Sequence, residues 1–211
     1  EWLADSDTAS EVGLVDVRRQ AGGDRVEAVL YTPRSKHTFA HAAAALDELG
    51  MTIVDARVVP LRNHYSLDSF VFMELDKRMD IDESRMAKIR RSLTRVLTAS
   101  DDDVAKVTRT VPRQARMFTT KTEVEFSPDT MRGLTLMELD AADRPGLLSK
   151  IGKVFIDEGI DIDAAKIMTI GERAEDVFYI CDESGNPLGE EAKSRLRDAL
   201  IREIDQNDTA H

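Results

Sequence analysis

A single cysteine, Cys181, occurs among the 211 residues. One thiol excludes a disulfide-stapled scaffold and suits a reducing, cytoplasmic setting. No run of about 18 apolar residues is present, so the sequence offers no helix that spans a membrane and no membrane partner is expected. Basic residues are in deficit: 29 Lys and Arg stand against 40 Asp and Glu, a formal net charge of −11. Binding along phosphates needs a basic face, and aromatics make up only 5% of the chain, so no nucleic-acid partner is expected. Catalytic signatures are scarce as well. None of the four histidines, His37, His41, His64 and His211, is followed by Asp, which leaves no His-Asp metal-phosphohydrolase dyad. His37 and His41 lack the intervening Glu of a zinc protease, and no GxxxxGK[ST] loop occurs. Asp101-Asp102-Asp103 lacks the spacing of a chelating loop. Cys181, between Ile180 and Asp182 with no adjacent His, reads as a core residue. No cofactor and no metal are therefore expected in this chain. It begins at Glu1 without a signal-like stretch and reads as a piece of something longer.

What remains is an ordinary globular composition, 42% hydrophobic and 33% charged, with length for two units of about 100 residues. Those units are copies. Asp47 to Arg57 lines up with Ile156 to Lys166, Gly50 falling on Gly159, and the surrounding patterns keep the same order. In the first copy Val26 to Tyr31 alternates as a strand. Phe39, Ala43, Leu46 and Leu49 recur at helical spacing, and Gly50 ends that helix. Met51 to Leu61 and Asp68 to Leu75 read as strands, and Met86, Ile89, Leu93 and Val96 mark a second helix. In the second copy the series runs Leu134 to Leu139, a loop from Asp140 to Pro145, a helix with Leu148, Ile151 and Phe155, strands Ile160 to Ile170 and Asp176 to Cys181, and a helix with Ala192, Leu196 and Leu200.

The order is βαββα twice, one strand short of the βαββαβ unit. The polar tail after Asp205 makes a poor core strand. Each copy is instead preceded by a strand candidate, Val12 to Arg18 and Thr122 to Phe126, joined on by a short hairpin-like loop. The expected fold is thus α+β: two ferredoxin-like units, each an antiparallel sheet with two helices on one face, the usual last strand supplied by the leading one. Thr122 to Phe126 could alternatively close the first unit. The expected division is 1–99, a linker over 100–121, and 122–211. The linker holds five basic residues from Lys106 to Lys121 and no acid; it reads as a solvated connection or as a docking strip.

One segment carries chemistry: Asp140-Ala141-Ala142-Asp143-Arg144-Pro145-Gly146-Leu147-Leu148, leading from a strand into a helix. Pro145 suits the first helical turn, and Gly146 permits close backbone approach. Free N–H groups at the helix start can hold a carboxylate, while Asp143 offers a partner for an ammonium. These parts match the two ends of a free amino acid. From spacing alone, a helix cap is the favoured reading of Asp143.

Asp-Arg-Pro-Gly-Leu-Leu followed by a helix and Gly159 to Ile167 resembles the ACT domain, an amino-acid-sensing regulatory module. The stretches Thr169 to Ile180, Pro112 to Phe118, Thr122 to Asp129 and Leu67 to Phe70 are similar to the C-terminal part of the bifunctional uridylyltransferase/uridylyl-removing enzymes, which modify the P-II nitrogen signalling protein. The resemblance implies a non-catalytic tandem ACT pair that senses L-glutamine, with P-II and the enzyme's own catalytic domains as partners through the parent protein, where Mg would serve the catalytic domains. It also implies a homodimer through ACT sheets or helices, and a ligand held between two modules. Carried over, the ligand residues are Asp143, Arg144, Gly146 and Leu147 of the loop with Asp161 and Ile162 of the second strand. The corresponding places in the first copy are Arg34, Ser35, His37, Thr38, Thr52 and Ile53. There Lys36 replaces Pro, His37 replaces Gly, and Arg34 replaces the acid, so the first copy is expected to be the weaker site, or to lend only its second strand. Two other readings stand beside this one: a docking or dimerisation module, and the sensor of a different metabolic enzyme.

Overall fold

The computed structural model describes residues 13–20, 25–33, 37–62, 64–75, 81–97, 121–170 and 173–205; residues 100–120 of the linker and the residues Arg34 and Ser35 lie outside these. The first copy comprises β1 (Leu14–Arg19), β2 (Val26–Pro33), α1 (Thr38–Glu48), β3 (Met51–Pro60), β4 (Tyr65–Glu74) and α2 (Glu83–Val96). The second comprises β5 (Glu123–Asp129), β6 (Leu134–Ala142), α3 (Leu147–Asp157), β7 (Ile160–Ile170), β8 (Arg173–Asp182) and α4 (Glu190–Asp205). Expected and observed elements agree in kind and order. Several edges differ, among them β2 running on to Pro33, β4 starting at Tyr65, β5 running on to Asp129, β6 to Ala142 and β8 starting at Arg173, because pairing with neighbouring strands continues past the last apolar alternation.

The strands form one antiparallel sheet in the order β1-β2-β4-β3-β7-β8-β6-β5. Each leading strand lies beside the first strand of its own copy, Val17 opposite Ala28 in one and Phe126 opposite Met137 in the other. That is the place of the missing last strand. The pairing of β5 with β6 assigns Glu123–Asp129 to the second copy. The copies join where β3 pairs with β7, Asp55 opposite Met168 and Val58 opposite Ala165, so the sheet has no internal edge at the junction. Both second strands carry a bulge at the same place in the repeat, between Ile53 and Asp55 and between Ile162 and Ala164.

Repeated local chemistry sets the helix ends. Gly50 and Gly159 follow α1 and α3 with φ of 79° and 66°, the left-handed stop that glycine adopts without a Cβ penalty. The helices cover the sheet in the order α2-α1-α3-α4, with α1 packed on α3 across the junction. That approach is close: a methyl on Gly152 would lie 2.6 Å from the Ala40 Cβ. Beneath it the core is continuous. Phe39 of α1 meets Phe178 of β8 edge-on at 6.1 Å, Phe178 meets Phe155 of α3 at 5.2 Å, and Phe39 meets Phe70 of β4 at 5.8 Å. Such aromatic pairs add about 0.5–1.5 kcal/mol beyond the area they bury.

Candidate functional site

A cleft, partly open to solvent, lies where the α3 entry of the second copy faces α1 and the start of β3 in the first. The β6–α3 loop supplies Asp143, Arg144, Gly146 and Leu147. Across from them stand Ala43 and Asp47 of α1, and Met51, Thr52 and Ile53 of β3. Ile167 and Thr169 of β7 and Ala174 and Asp176 of β8 complete the wall.

The loop geometry follows from its glycine. Gly146 is the N-cap of α3 at φ 81°, and no side chain caps the helix. Asp143 therefore does not take the capping role, and its half-buried carboxyl is raised above the ordinary range by burial. A methyl on Gly146 would lie 3.2 Å from the Asp47 Oδ2, so the absent side chain is what lets a carboxylate of the first copy approach the second copy's helix start. Ser149 donates its hydroxyl to the Gly146 carbonyl at 2.9 Å and lies 3.5 Å from the same Asp47 oxygen. A negative group at a helix start is favoured by the exposed N–H groups and the positive end of the macrodipole.

Asp176 shares the inward face of β8 with Ala174, Phe178 and Ile180. It is 1% exposed, and neither carboxylate oxygen has a hydrogen-bond partner. Burial pushes its pKa up to about 7, against a smaller opposing contribution from the Met168 backbone and with help from the nearby Asp143 and Asp140 charges. Thr52 adds a second buried, unpartnered polar atom, its Oγ1. Asp140 itself is held outside by Arg173 at 2.7 Å.

The structure brings Asp143, Arg144, Gly146 and Leu147 together with Thr52 and Ile53, which the sequence assigned to the other site. Asp161 and Ile162 do not line this cleft. They are the repeat counterparts of Thr52 and Ile53, paired with Cys181 and Ile180 of β8 at the opposite end of the β3–β7 junction. His37 is the N-cap of α1 and Thr38 its first residue; the His37 and His41 rings stack at 6.2 Å. Cys181 is buried, as the sequence indicates. Sequence reasoning missed Asp47 and Asp176. Asp176 had a signal: it falls on the inward parity of its strand, two residues before Phe178. Among the described residues no group of three or more His, Cys, Asp or Glu side chains is placed to hold a metal ion. No helix among them is long and apolar enough to cross a membrane.

Residues 135–198 match the family model of the ACT domain. The chain is 37% identical over 189 residues to a bifunctional uridylyltransferase/uridylyl-removing enzyme of Pseudomonas fluorescens, covering 89% of this chain and 21% of the relative. Enzymes of the same description from Vibrio campbellii and Vibrio parahaemolyticus are 37% and 39% identical, over 97% and 93% of this chain and 23% and 22% of theirs. The chain thus spans about a fifth of the length of the curated relatives it matches. A crystal structure of aspartate kinase from Synechocystis aligns at 11% identity and a TM-score of 0.47, over 84% of this chain and 26% of that one.

Proposed function

From a chain that carries an ACT domain and is related over 89% of its length to the bifunctional uridylyltransferase/uridylyl-removing enzymes, we propose that it is an amino-acid-sensing regulatory pair. We further propose that it is divided near 1–99 and 122–211, that its ligand is L-glutamine, and that in its parent protein it governs uridylylation and deuridylylation of P-II. The fragment itself is proposed to be non-catalytic.

The observation that carries this reading is the cleft between the copies. It offers carboxylates at Asp143 and Asp176 for an ammonium, the Arg144 side chain for a carboxylate, and the unpartnered Thr52 hydroxyl for a neutral polar side chain. A hydroxyl both donates and accepts, which suits an amide. The surrounding acids disfavour a second negative group, so glutamate is expected to bind more weakly than glutamine by about 1–3 kcal/mol. A ligand seated against both copies can bias their arrangement, and a typical coupling of about 1–3 kcal/mol would suffice for regulation. Calorimetric titration of the 211-residue chain with glutamine and with glutamate tests the reading. Binding of glutamine with glutamate at least about tenfold weaker supports it; absence of binding by glutamine overturns it.

A further inference from the structure

The two copies place an aspartate at the same point of the same strand. Asp68 of β4 stands opposite Leu30 of β2, and Asp176 of β8 stands opposite Leu139 of β6. Each is 1% exposed. Their surroundings differ: a side-chain hydroxyl serves the first, while only the Met168 backbone opposes the effect of burial on the second. In the first copy Ser66, two residues earlier on the same face, hydrogen-bonds Asp68 and leaves only Oδ1 without a partner. In the second copy the corresponding residue is Ala174, and both oxygens of Asp176 are unpartnered. A buried carboxyl left unsatisfied costs more than it returns. A side chain retained on those terms, and lining an open cleft, has the form of a group awaiting a donor.

We propose that Asp176 receives the ammonium of the ligand in this cleft, and that binding there releases a proton from its carboxyl to solvent. The inference rests on the reading of the cleft as an amino-acid site. An ammonium brings three donors and no acceptor, and so satisfies both oxygens of Asp176 with one donor left for Asp143. The groups that reach Asp176 are acidic apart from one. Asp143 and Arg144 come from the β6–α3 loop, Asp140 from β6 and Asp47 from α1. β7 and β3 contribute Ile167, Thr169, Met51, Thr52 and Ile53, and the Met168 backbone, whose N–H acts on the carboxyl against the effect of burial. Arg144 stands at the loop, where the ligand's carboxylate belongs, so Asp176 has no resident counter-ion on its own wall.

The proton balance follows from burial. Burial pushes the Asp176 carboxyl up to about 7. An ammonium beside it favours the ionised form and lowers that value, so the O–H proton leaves as the ammonium N–H groups take its place. Affinity should then rise with pH up to about 7 and level off above, by as much as about tenfold per unit on the acid side.

The test is calorimetry of the 211-residue chain with glutamine at about pH 6 and about pH 8, in buffers of low and high ionisation enthalpy, which counts protons released. The wild-type chain should bind more weakly at the lower pH and release a fraction of a proton approaching one. Asp176→Asn, nearly isosteric, should bind at least about tenfold more weakly at the higher pH and lose both the proton release and the pH dependence. Carbon-13 titration of the Asp176 carboxyl in the wild-type chain needs no variant: it should titrate near 7 alone and lower with glutamine. Glutamine binding without proton release, unchanged in Asp176→Asn, overturns this proposal and leaves the sensing reading intact. Binding of another amino acid from a panel of all twenty, with proton release, overturns the glutamine assignment and supports this one. Binding by none of them overturns both.

Discussion

The two copies share a backbone plan to the level of a bulge, yet differ at their α-helix entries. In the first, Lys36 and His37 occupy the places of Pro145 and Gly146. In the first, Ser66 serves its buried aspartate; in the second, Ala174 does not. The last turn of α1 carries Asp47, whose repeat counterpart on α3 is the apolar Ile156. All three differences act on the same cleft. Duplication supplied two equivalent ends of the β3–β7 junction, and side-chain divergence fitted one of them with an open loop, a bare carboxylate and a facing acid. The scaffold thus explains where a site can be, and a handful of substitutions explain which site is built.

The comparison breaks most completely if the shared core is broken. Phe178 touches Phe39 of one copy and Phe155 of the other, so Phe178→Ala is expected to cost about 3–5 kcal/mol. Because the sheet and the aromatic cluster cross the junction, the loss should appear in urea as one lowered transition for both copies. Two separate transitions, with only the second copy lowered, would show that the junction does not couple them.

Converting one loop toward the other comes next. Gly146→His reproduces the first copy's residue at a φ of 81° and 3.2 Å from Asp47. Left-handed backbone costs a side-chain-bearing residue about 1–2 kcal/mol, and the imidazole fills the approach to the helix start. The expected result is a stability loss of that order together with loss of glutamine binding in calorimetry. Retained affinity would show that the ligand does not approach Gly146.

The twin aspartates predict a pH dependence. Burial holds both folded carboxyls up at about 7, above the ordinary value of 3.8, so the folded state holds more protons than the unfolded one between those limits. Stability from these groups is therefore full below about 4, declines as pH rises toward 7, and is level beyond. Asp182 and Glu190, whose values are lowered, act in the opposite sense at lower pH and are exposed, so they weigh little. Asp68→Asn and Asp176→Asn should each remove part of the decline in urea midpoints measured from about pH 4 to about pH 8, and the double variant most of it. An unchanged slope in the double variant would place the titration elsewhere.

Much of this was legible in the sequence, for physical reasons that also mark its limits. Periodicity and the paired glycines Gly50 and Gly159 are local, and they gave the element order. The hairpin-like loops before Val26 and Leu134 gave the leading strands. The junction register was not legible, because the pairing of Asp55 with Met168 is decided by helix and core packing between distant segments. For that reason the sequence alone pairs Asp143 with Asp161 of its own copy, whereas the cleft sets it beside Thr52. Asp47 reads as part of a solvated helix end until α3 is set against it. Asp176 is the sharper lesson: a charged residue on the inward parity of a strand breaks the local pattern, and here it coincides with the cleft.

The smallest expected effect isolates that lesson. Ala174→Ser gives the second copy the hydroxyl that Ser66 gives the first, with no change of charge and one added atom. If the copies are as alike as their registers indicate, the new hydroxyl donates to Asp176, as Ser66 does to Asp68. A hydrogen bond to a charged group contributes about 1.5–3 kcal/mol, so the folded chain should gain stability of that order above pH 7, where the carboxylate is ionised. The Asp176 carboxyl should titrate lower, since its charged form is now bonded. A ligand ammonium would then find one oxygen already engaged, and affinity should fall a few-fold, far less than in Asp176→Asn. Carbon-13 titration of that carboxyl reads the effect directly. An unmoved titration with unmoved affinity would mean that the serine does not reach Asp176, and that the difference between the two copies lies in their loops alone.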